Sequence, residues 1–442
     1  VNVRRSHGFR RLSNKLVRHM HQNKAEDRKP FDRREWLTTS AAVAGALFAA
    51  RDASAQENIQ QVREAEHDKA ATNPGPDNKP IASVQPDAAV PPPTDQGNAP
   101  QFWSTFSAQH RRIQPGGWAR QVTVRDFPLS TTISGVNMRL TPGGCRELHW
   151  HAAGEWAIML DGNARITNLD DHGRIFITDV GPGDLWFFPQ GNPHSIQGLS
   201  PSGAEFLLVF DDGKFSEDDT TLFSSWLRHT PPEVLAKNWQ VTPSAIQKVY
   251  DIGPGGKWIF QADVPPPLEQ DLKAASSNMP LSPHDFAFRL MQMKPTFKTK
   301  GGEVRIVDSH VFKASSSMAA AHVIVHPGGM RALHWHQNQD EWQYYIAGQG
   351  RMTVFFNGTL ARTQDFYPGD VGYIPKTLPH YIENTGDQDL IFLEMFKTDT
   401  FMELSLTSWL TQLPPELVTQ TIDIDPKTLG DVRKQDVPVV PA

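Results

Sequence analysis

Eight residues of this chain have the types and spacing of metal ligands. His149, His151 and Glu155 follow the glycine pair Gly143-Gly144, and His334, His336 and Glu341 follow Gly328-Gly329 in the same way. Each set is completed by a later histidine, His194 or His380, and both follow a Gly-x5-Pro stretch. Three neutral imidazoles and one carboxylate fill four positions around a divalent ion. A six-coordinate ion would keep two positions open for water or substrate, whereas a tetrahedral zinc would be closed by the same four groups. The donor set alone admits manganese, iron, nickel, copper or zinc. A lone buried histidine is more often a satisfied core residue than a ligand, but a complete set that occurs twice is hard to obtain by chance.

The elements that must position these groups are also repeated. Gly116 to Gly144 matches Gly301 to Gly329 without a gap, and one inserted residue between His336 and Glu341 lengthens the offset between the copies by one from there on. Farther on, Ser225-Trp226-Leu227 with Pro231-Pro232-Glu233 is echoed by Ser408-Trp409-Leu410 with Pro414-Pro415-Glu416. Such self-similarity means two copies of one domain. In a strand, side chains two apart share a face, so His149 and His151 point together and Trp150 points away. Short apolar or alternating runs at Glu155–Leu160, Arg165–Ile177 and Asp184–Pro189, punctuated by glycines, read as the strands of a sandwich or barrel. Ligands from separate strands converge in the mouth of a small antiparallel barrel.

The first-motif pattern G-x5-H-x-H-x3,4-E-x6-G fits Gly143–Gly162 and Gly328–Gly348. The second, G-x5-P-x-G-x2-H-x3-N, fits Gly183–His194 with Gly198 in place of asparagine, and Gly369–Asn384 with Thr377 in place of glycine. Together with Arg146-Glu147-Leu148-His149-Trp150-His151, Glu341-Trp342-Gln343-Tyr344-Tyr345 and Asp370-Val371-Gly372-Tyr373-Ile374-Pro375, these segments resemble the bacterial oxalate decarboxylases, a bicupin family. The likeness runs from about Gln101 to the C-terminus. It implies an all-β chain of two tandem cupin (double-stranded β-helix, jelly-roll) barrels with a few short helices. The first barrel is placed at 101–265, a linker at 266–285 and the second barrel at 286–442.

The resemblance further implies a Mn(II) ion in each barrel, dioxygen as co-catalyst, and cleavage of oxalate to formate and carbon dioxide. It assigns His149, His151, Glu155 and His194 to the first ion and His334, His336, Glu341 and His380 to the second. Arg146 and Arg331 are implied to reach the sites, although three residues before a histidine is the opposite strand parity unless the strand bends. A planar guanidinium fork suits a dicarboxylate. After Phe210 the first copy carries a polar segment, Ser216-Glu217-Asp218-Asp219-Thr220, where the family has a lid whose glutamate carries the proton; Glu217 matches it. The family lid has Asn-Ser where this chain has Asp218-Asp219, and two charges beside the proton carrier are expected to raise its pKa and to repel a dianion. Glu394, at the position of Leu208, is the candidate acid of the second site, which without a matching lid reads as structural or weakly active. The competing readings are an oxalate oxidase releasing hydrogen peroxide, a non-enzymatic bicupin for storage or binding, and another metal-dependent cupin oxygenase.

The remaining sequence speaks to compartment and partners. A basic stretch, Arg4 to Arg34, leads through Arg33-Arg34 to an apolar run at Ala41–Ala50 and Ala53-Ser54-Ala55, so residues 1–55 read as a twin-arginine signal peptide and the protein as periplasmic or secreted. The apolar run is too short to span a bilayer. Twin-arginine export carries folded proteins, so by this route the metal can be chosen before export, away from ions that bind such a site more tightly. Without residues 1–55 the chain keeps 31 basic and 44 acidic residues, a net of -13, which disfavours nucleic acid and anionic membranes as partners. Cys145 is the sole cysteine, so no intrachain disulfide forms. Residues 56–100, rich in proline from Pro74 to Pro100, are expected to form a disordered or extended leader. Trp226–Ala236 and Trp409–Val418 are expected to be short helices, and the resemblance suggests a homo-oligomer, a trimer or a hexamer of two trimers.

Overall fold

The apolar run Ala204–Phe210 forms a strand buried on both faces, and its alternate side chains enter two different cores. Phe206, Leu208 and Phe210 pack inside the first barrel with Met138, Trp186 and Phe188. Leu207 and Val209 instead join Trp156, Phe187, Trp342, Tyr373 and Met395 in a cluster shared between the two barrels. The matching strand Leu390–Phe396 behaves alike: Phe392 packs inside the second barrel with Tyr345 and Met352, and Leu393 and Met395 enter the shared cluster. Burial on both faces is why these strands read as unbroken apolar runs. Glu394 interrupts the second run at the parity of Phe392, so its carboxylate enters the barrel interior.

The structure is a computed structural model that describes residues 75–442 except 87, 89 and 278. The signal-peptide reading for residues 1–55 therefore lies outside the described residues. Each barrel is two antiparallel sheets. In the first, a seven-stranded sheet contains Glu155–Gly162, Ala204–Phe210 and Ser134–Leu140, and a six-stranded sheet contains Gly144–Trp150, His194–Gly198 and Ala164–Leu169. The second barrel repeats this with Glu341–Ala347, Leu390–Phe396 and Ala319–Val325 against Met330–Trp335, His380–Asn384 and Gly350–Phe356.

The barrels also exchange edge strands. Trp103–Thr105, placed with the first copy by the sequence reading, pairs with Asp370–Ile374 of the second, with Trp103 opposite Gly372. Ala287–Phe288 returns the exchange by pairing with Leu185–Phe188 of the first barrel. The Pro-rich leader is correspondingly shorter than expected. Asp95 accepts hydrogen bonds from the Thr363 backbone (2.9 Å) and hydroxyl (2.6 Å), and Gln96 bridges to Ala361, so the chain is tied to the second barrel before residue 100. The linker carries a helix, Leu268–Ser276, with Pro267 at its N-cap and Glu269 and Asp271 in the first turn. Arg165 of the first barrel holds its start through the Pro266 carbonyl (2.7 Å) and Asp271 (2.5 Å). Helices at Phe223–Arg228, Pro232–Trp239, Leu406–Gln412 and Pro415–Ile422 occupy the two regions read as helical, with prolines in the first turn of Pro232–Trp239 and Pro415–Ile422, where a missing N–H is tolerated.

The shared cluster leaves little spare room. A Cβ on Gly135 would lie 2.8 Å from the Trp342 ring. Gly135→Val is therefore expected to destabilise the chain by about 1–3 kcal/mol through overpacking, seen as a lowered thermal midpoint with metal content unchanged.

Candidate active site

The strand Gly144–Trp150 brings a histidine and an arginine to one face against strand parity, and a bulge is the reason. His149 lies opposite His194 and Arg146 opposite Ile196, so three steps on this strand face two on its partner. The extra residue rotates Arg146 onto the His149 side. The second barrel repeats the device, with His334 opposite His380 and Arg331 opposite Ile382. Within the bulge Leu148 turns out to solvent, while Glu147 turns in and accepts from the backbone N–H groups of Ser224 (2.9 Å), Lys257 (2.6 Å) and Trp258 (2.8 Å).

All eight expected ligands converge as two buried quartets, and within each the donor atoms lie within 4.8 Å of one another. The Nδ1–H groups of His149, His151 and His194 donate to the carbonyls of Glu147 (2.6 Å), Ala153 (2.7 Å) and Asn192 (2.8 Å). A carbonyl only accepts, so each Nε2 is left as a lone pair facing Glu155. His334, His336 and His380 are oriented likewise by the carbonyls of Ala332 (2.6 Å), Met402 (2.8 Å) and Leu378 (3.0 Å). Outer hydrogen bonds of this kind fix metal-ligating imidazoles. Nε2 of His194, His334, His336 and His380 and Oε2 of Glu341 are buried with no hydrogen bond in the fold. Converging lone pairs in a buried site require a cation, so these donor sets fit a divalent metal ion.

In the second quartet burial lowers His334, whereas His336, also lowered by burial, is raised by its contact with Glu341; in the first quartet the electrostatics agree with that fit. Burial, followed by the charge of Arg146, holds His149 well below the usual imidazole range, and burial also lowers His194. Burial pushes the Glu155 carboxyl up, but the closeness of the His151 and His194 rings outweighs it and brings it to about 2. Neutral imidazoles beside an ionised carboxylate are the forms that bind metal. His194→Ala and His380→Ala are each expected to lower bound metal from two ions per chain to one, read by elemental analysis, while the other site stays loaded.

Around these similar quartets the two arginines differ. Arg331 is saturated: its Nε and Nη2 donate to Glu394 (2.9 and 3.3 Å), and its Nη1 donates to Glu403 (3.1 Å), which Nη2 also contacts. Burial raises the Glu394 carboxyl, with Arg331 opposing; the Glu403 carboxyl, also pushed up by burial, is brought down to about 2, chiefly by the charge of Arg331. Arg146 has Leu208 where Arg331 has Glu394. Its Nε and Nη1 are buried without a partner, while Nη2 lies 3.5 Å from Glu217 Oε1 and 3.4 Å from the Thr220 hydroxyl. The first site therefore holds an open guanidinium fork, and the second a filled one.

Glu217 lies in a 3-10 turn, Glu217–Asp219, which closes over the first site and buries its side chain. Ser216 and Asp219 form a reciprocal capping box, and the Gln121 carboxamide accepts from the Glu217 N–H (2.9 Å). The two aspartates are not unbalanced charges beside Glu217, as the sequence suggested. The Asp219 carboxylate accepts from the Ser216 N–H (3.1 Å), and Asp218 forms an ion pair with Arg112. Phe210 and Phe215 stack at 3.9 Å, and Phe215 meets the His151 ring at 5.1 Å, which keeps the closed site apolar on that side.

Several positioning residues escaped the sequence reading. Glu403 stands at the same offset from Glu217 as Glu341 from Glu155 and His380 from His194, but lacks the three following residues that make the turn in the first copy. Gln343 donates to Glu341 Oε1 (2.6 Å) and accepts from the Tyr345 hydroxyl (2.7 Å), whereas in the first barrel Trp186 Nε1 serves Glu155 (3.4 Å). Trp258 lies under the Arg146 guanidinium, 4.9 Å from its ring centre.

Two tandem barrels, each with a buried centre of three histidines and one glutamate, define a bicupin metalloprotein. The cupin family profile matches residues 104–247 and 288–429. The chain is 48% identical to the Bacillus subtilis (strain 168) oxalate decarboxylase OxdC over 374 residues, which is 84% of this chain and 95% of that protein. It is 37% identical to a probable oxalate decarboxylase of Arthroderma benhamiae over 348 residues, covering 78% of this chain and 84% of that one. A structure of the Bacillus subtilis oxalate decarboxylase from work on the EPR parameters of its Mn(II) centres superposes with a TM-score of 0.79 at 46% identity, over 83% of this chain and 96% of that one. The chain belongs to the bicupin family of oxalate decarboxylases.

Proposed function

We propose that this protein converts oxalate to formate and carbon dioxide in its first barrel, with Mn(II) as the metal of both quartets, dioxygen as co-catalyst and Glu217 as the proton carrier. The observation that carries the reading is the open fork of Arg146 beside Glu217, whose Oε2 is buried without a partner. The fork takes a carboxylate by two charge-assisted hydrogen bonds and fixes the substrate beside the quartet. The metal ion, with dioxygen, supplies the Lewis-acid and redox chemistry that weakens the carbon–carbon bond. Glu217 takes the proton of the bound hydrogen oxalate and, once carbon dioxide has left, returns it to the remaining carbon as the C–H of formate. Atoms and charge balance: one hydrogen oxalate anion gives one formate anion and one carbon dioxide. The closed turn, with Phe210, Phe215 and Leu208, keeps bulk water from competing for that position.

The second centre, with Arg331 saturated by Glu394 and Glu403, has a structural role in this reading. Incubating manganese-loaded protein with oxalate in air and quantifying formate and hydrogen peroxide together tests the function. Mostly formate is expected; mostly peroxide would make the protein an oxidase, and neither product would remove oxalate as the substrate.

Export by the twin-arginine route and homo-oligomer formation belong to the same reading. The first rests on Arg33-Arg34 and the segment after it, and periplasmic protein loaded with zinc or copper would count against metal selection before export. The second is supported by apolar side chains at matched places on the two barrels: Trp226 and Trp409 are more than half exposed, and Leu148 and Leu333 are exposed as well. Sedimentation at micromolar concentration decides it. Among the described residues no helix is long and apolar enough to cross a membrane.

A further inference from the structure

Outside the quartets, one group of residues is built more elaborately than a surface contact requires. Trp258 adopts a left-handed backbone with positive φ, which a bulky side chain rarely takes. Such conformations persist only where the surroundings over-determine them. Here Glu147, buried in the strand bulge, accepts the Trp258 N–H, and the Trp258 carbonyl accepts the Glu147 N–H at 2.9 Å. The indole so fixed carries two guanidinium groups: Arg112 lies 4.3 Å from its ring centre and Arg146 4.9 Å.

Both arginines meet the lid. Arg146 faces Glu217, and Arg112 is paired with the adjacent Asp218. Two cations on one indole repel each other, and a cation–π contact offsets that only in part. The closed lid brings one carboxylate to each. Arg112 and Asp218 border a cavity of about 200 Å³ just outside the lid, together with His110, Arg120, Gln121 and Glu217. Asp218 is mostly exposed, so its pair with Arg112 is reachable by solvent ions, while the Arg146–Glu217 pair is buried.

We propose that Arg112 is the latch of the lid, with Asp218 as its catch, and that Trp258 is the positioning residue that fixes the latch and the substrate-holding arginine as one unit. The inference rests on the reading of Ser216–Thr220 as the lid of the reacting site. Opening breaks both contacts, and the indole keeps each guanidinium where the returning turn finds it. The acidic pair Asp218-Asp219 thereby has a division of labour, with Asp219 closing the turn on itself and Asp218 closing it onto the barrel. A partly exposed ion pair of this kind shifts an open–closed equilibrium by a factor of about two to five, and salt weakens it.

The test is a charge exchange on the manganese-loaded chain, read by hydrogen exchange at the amides of residues 216–220. Arg112→Glu and Asp218→Arg are each expected to raise exchange there about two- to fivefold, and the double variant to bring it back towards the parent value. Trp258→Leu is expected to raise it similarly and Trp258→Phe, which keeps an aromatic plate, to raise it less. Unchanged exchange in both single charge variants, or no recovery in the double, would overturn the latch; equal effects of Leu and Phe would remove Trp258 from it. Formate is measured on the same samples. No formate from the parent with the exchange pattern intact would sink the oxalate reading and leave the latch standing, whereas formate with a flat exchange pattern would do the reverse.

Discussion

Glu217→Gln is expected to reduce formate production by about a hundredfold to ten-thousandfold, the range lost when a positioned acid–base group is removed. Glutamine has the shape of glutamate and still offers an oxygen to Arg146, so the turn should close as before. What it lacks is a site that accepts a proton from hydrogen oxalate and holds it until a carbon needs it. Metal content should be unchanged, because Glu217 is not one of the clustered donor residues. Measuring formate, peroxide and bound metal on one preparation separates the cases. Lost formate at full metal content supports the role of Glu217. Undiminished formate would refute it, and lost metal would mean that the substitution disturbed the quartet.

The repeat and the quartets were legible because residue type and spacing alone define them: a His-x-His pair on one strand face needs no tertiary information. Arg146 was legible only as a conflict, since its parity is wrong for a regular strand, and the bulge between Arg146 and His149 resolves it. Such a violation beside a ligand is itself a signal for a bulge. Glu403 was within reach of the sequence, because the offset that relates the later ligands of the two copies also assigns it to Glu217. The missing three-residue turn, however, made the second copy look as if it had no counterpart. The helix Leu268–Ser276 lies in a segment read only as a linker, although acidic residues just after a proline at its start were a signal for it.

Other features could not be read. Trp258 is far from Arg146 along the chain and reaches it only through a loop whose conformation depends on Glu147. The exchanged edge strands Trp103–Thr105 and Ala287–Phe288 are too short to show a period. The pairing of Asp218 with Arg112, which overturns the expectation of two unbalanced charges, depends on how the turn folds back over residues more than a hundred positions earlier.

The comparison between the two arginines leads to the second large effect. Leu208 and Glu394 occupy equivalent places: Leu208 is paired with Ala157 and Val136, and Glu394 with Gln343 and Ala321, across strands that correspond in the two barrels. Where the acid is present, it takes Nε and Nη2 of the arginine; where leucine stands, Nε and Nη1 are left without a partner. Leu208→Glu should therefore place a carboxylate on the fork of Arg146 and convert the first site to the saturated state of the second. A buried carboxylate without a partner would unfold a marginal protein, but here the guanidinium receives it, so the fold and the metal content are expected to survive. The substrate then competes with a tethered group for charge-assisted hydrogen bonds of about 1.5–3 kcal/mol each. Losing two of them lowers kcat/KM on the order of a hundredfold or more. Leu208→Gln, equal in shape to the glutamate but uncharged, should cost far less. Full activity in the glutamate variant would mean that oxalate does not dock on Arg146, and an equal loss in both variants would trace the effect to packing around Leu208 rather than to the fork.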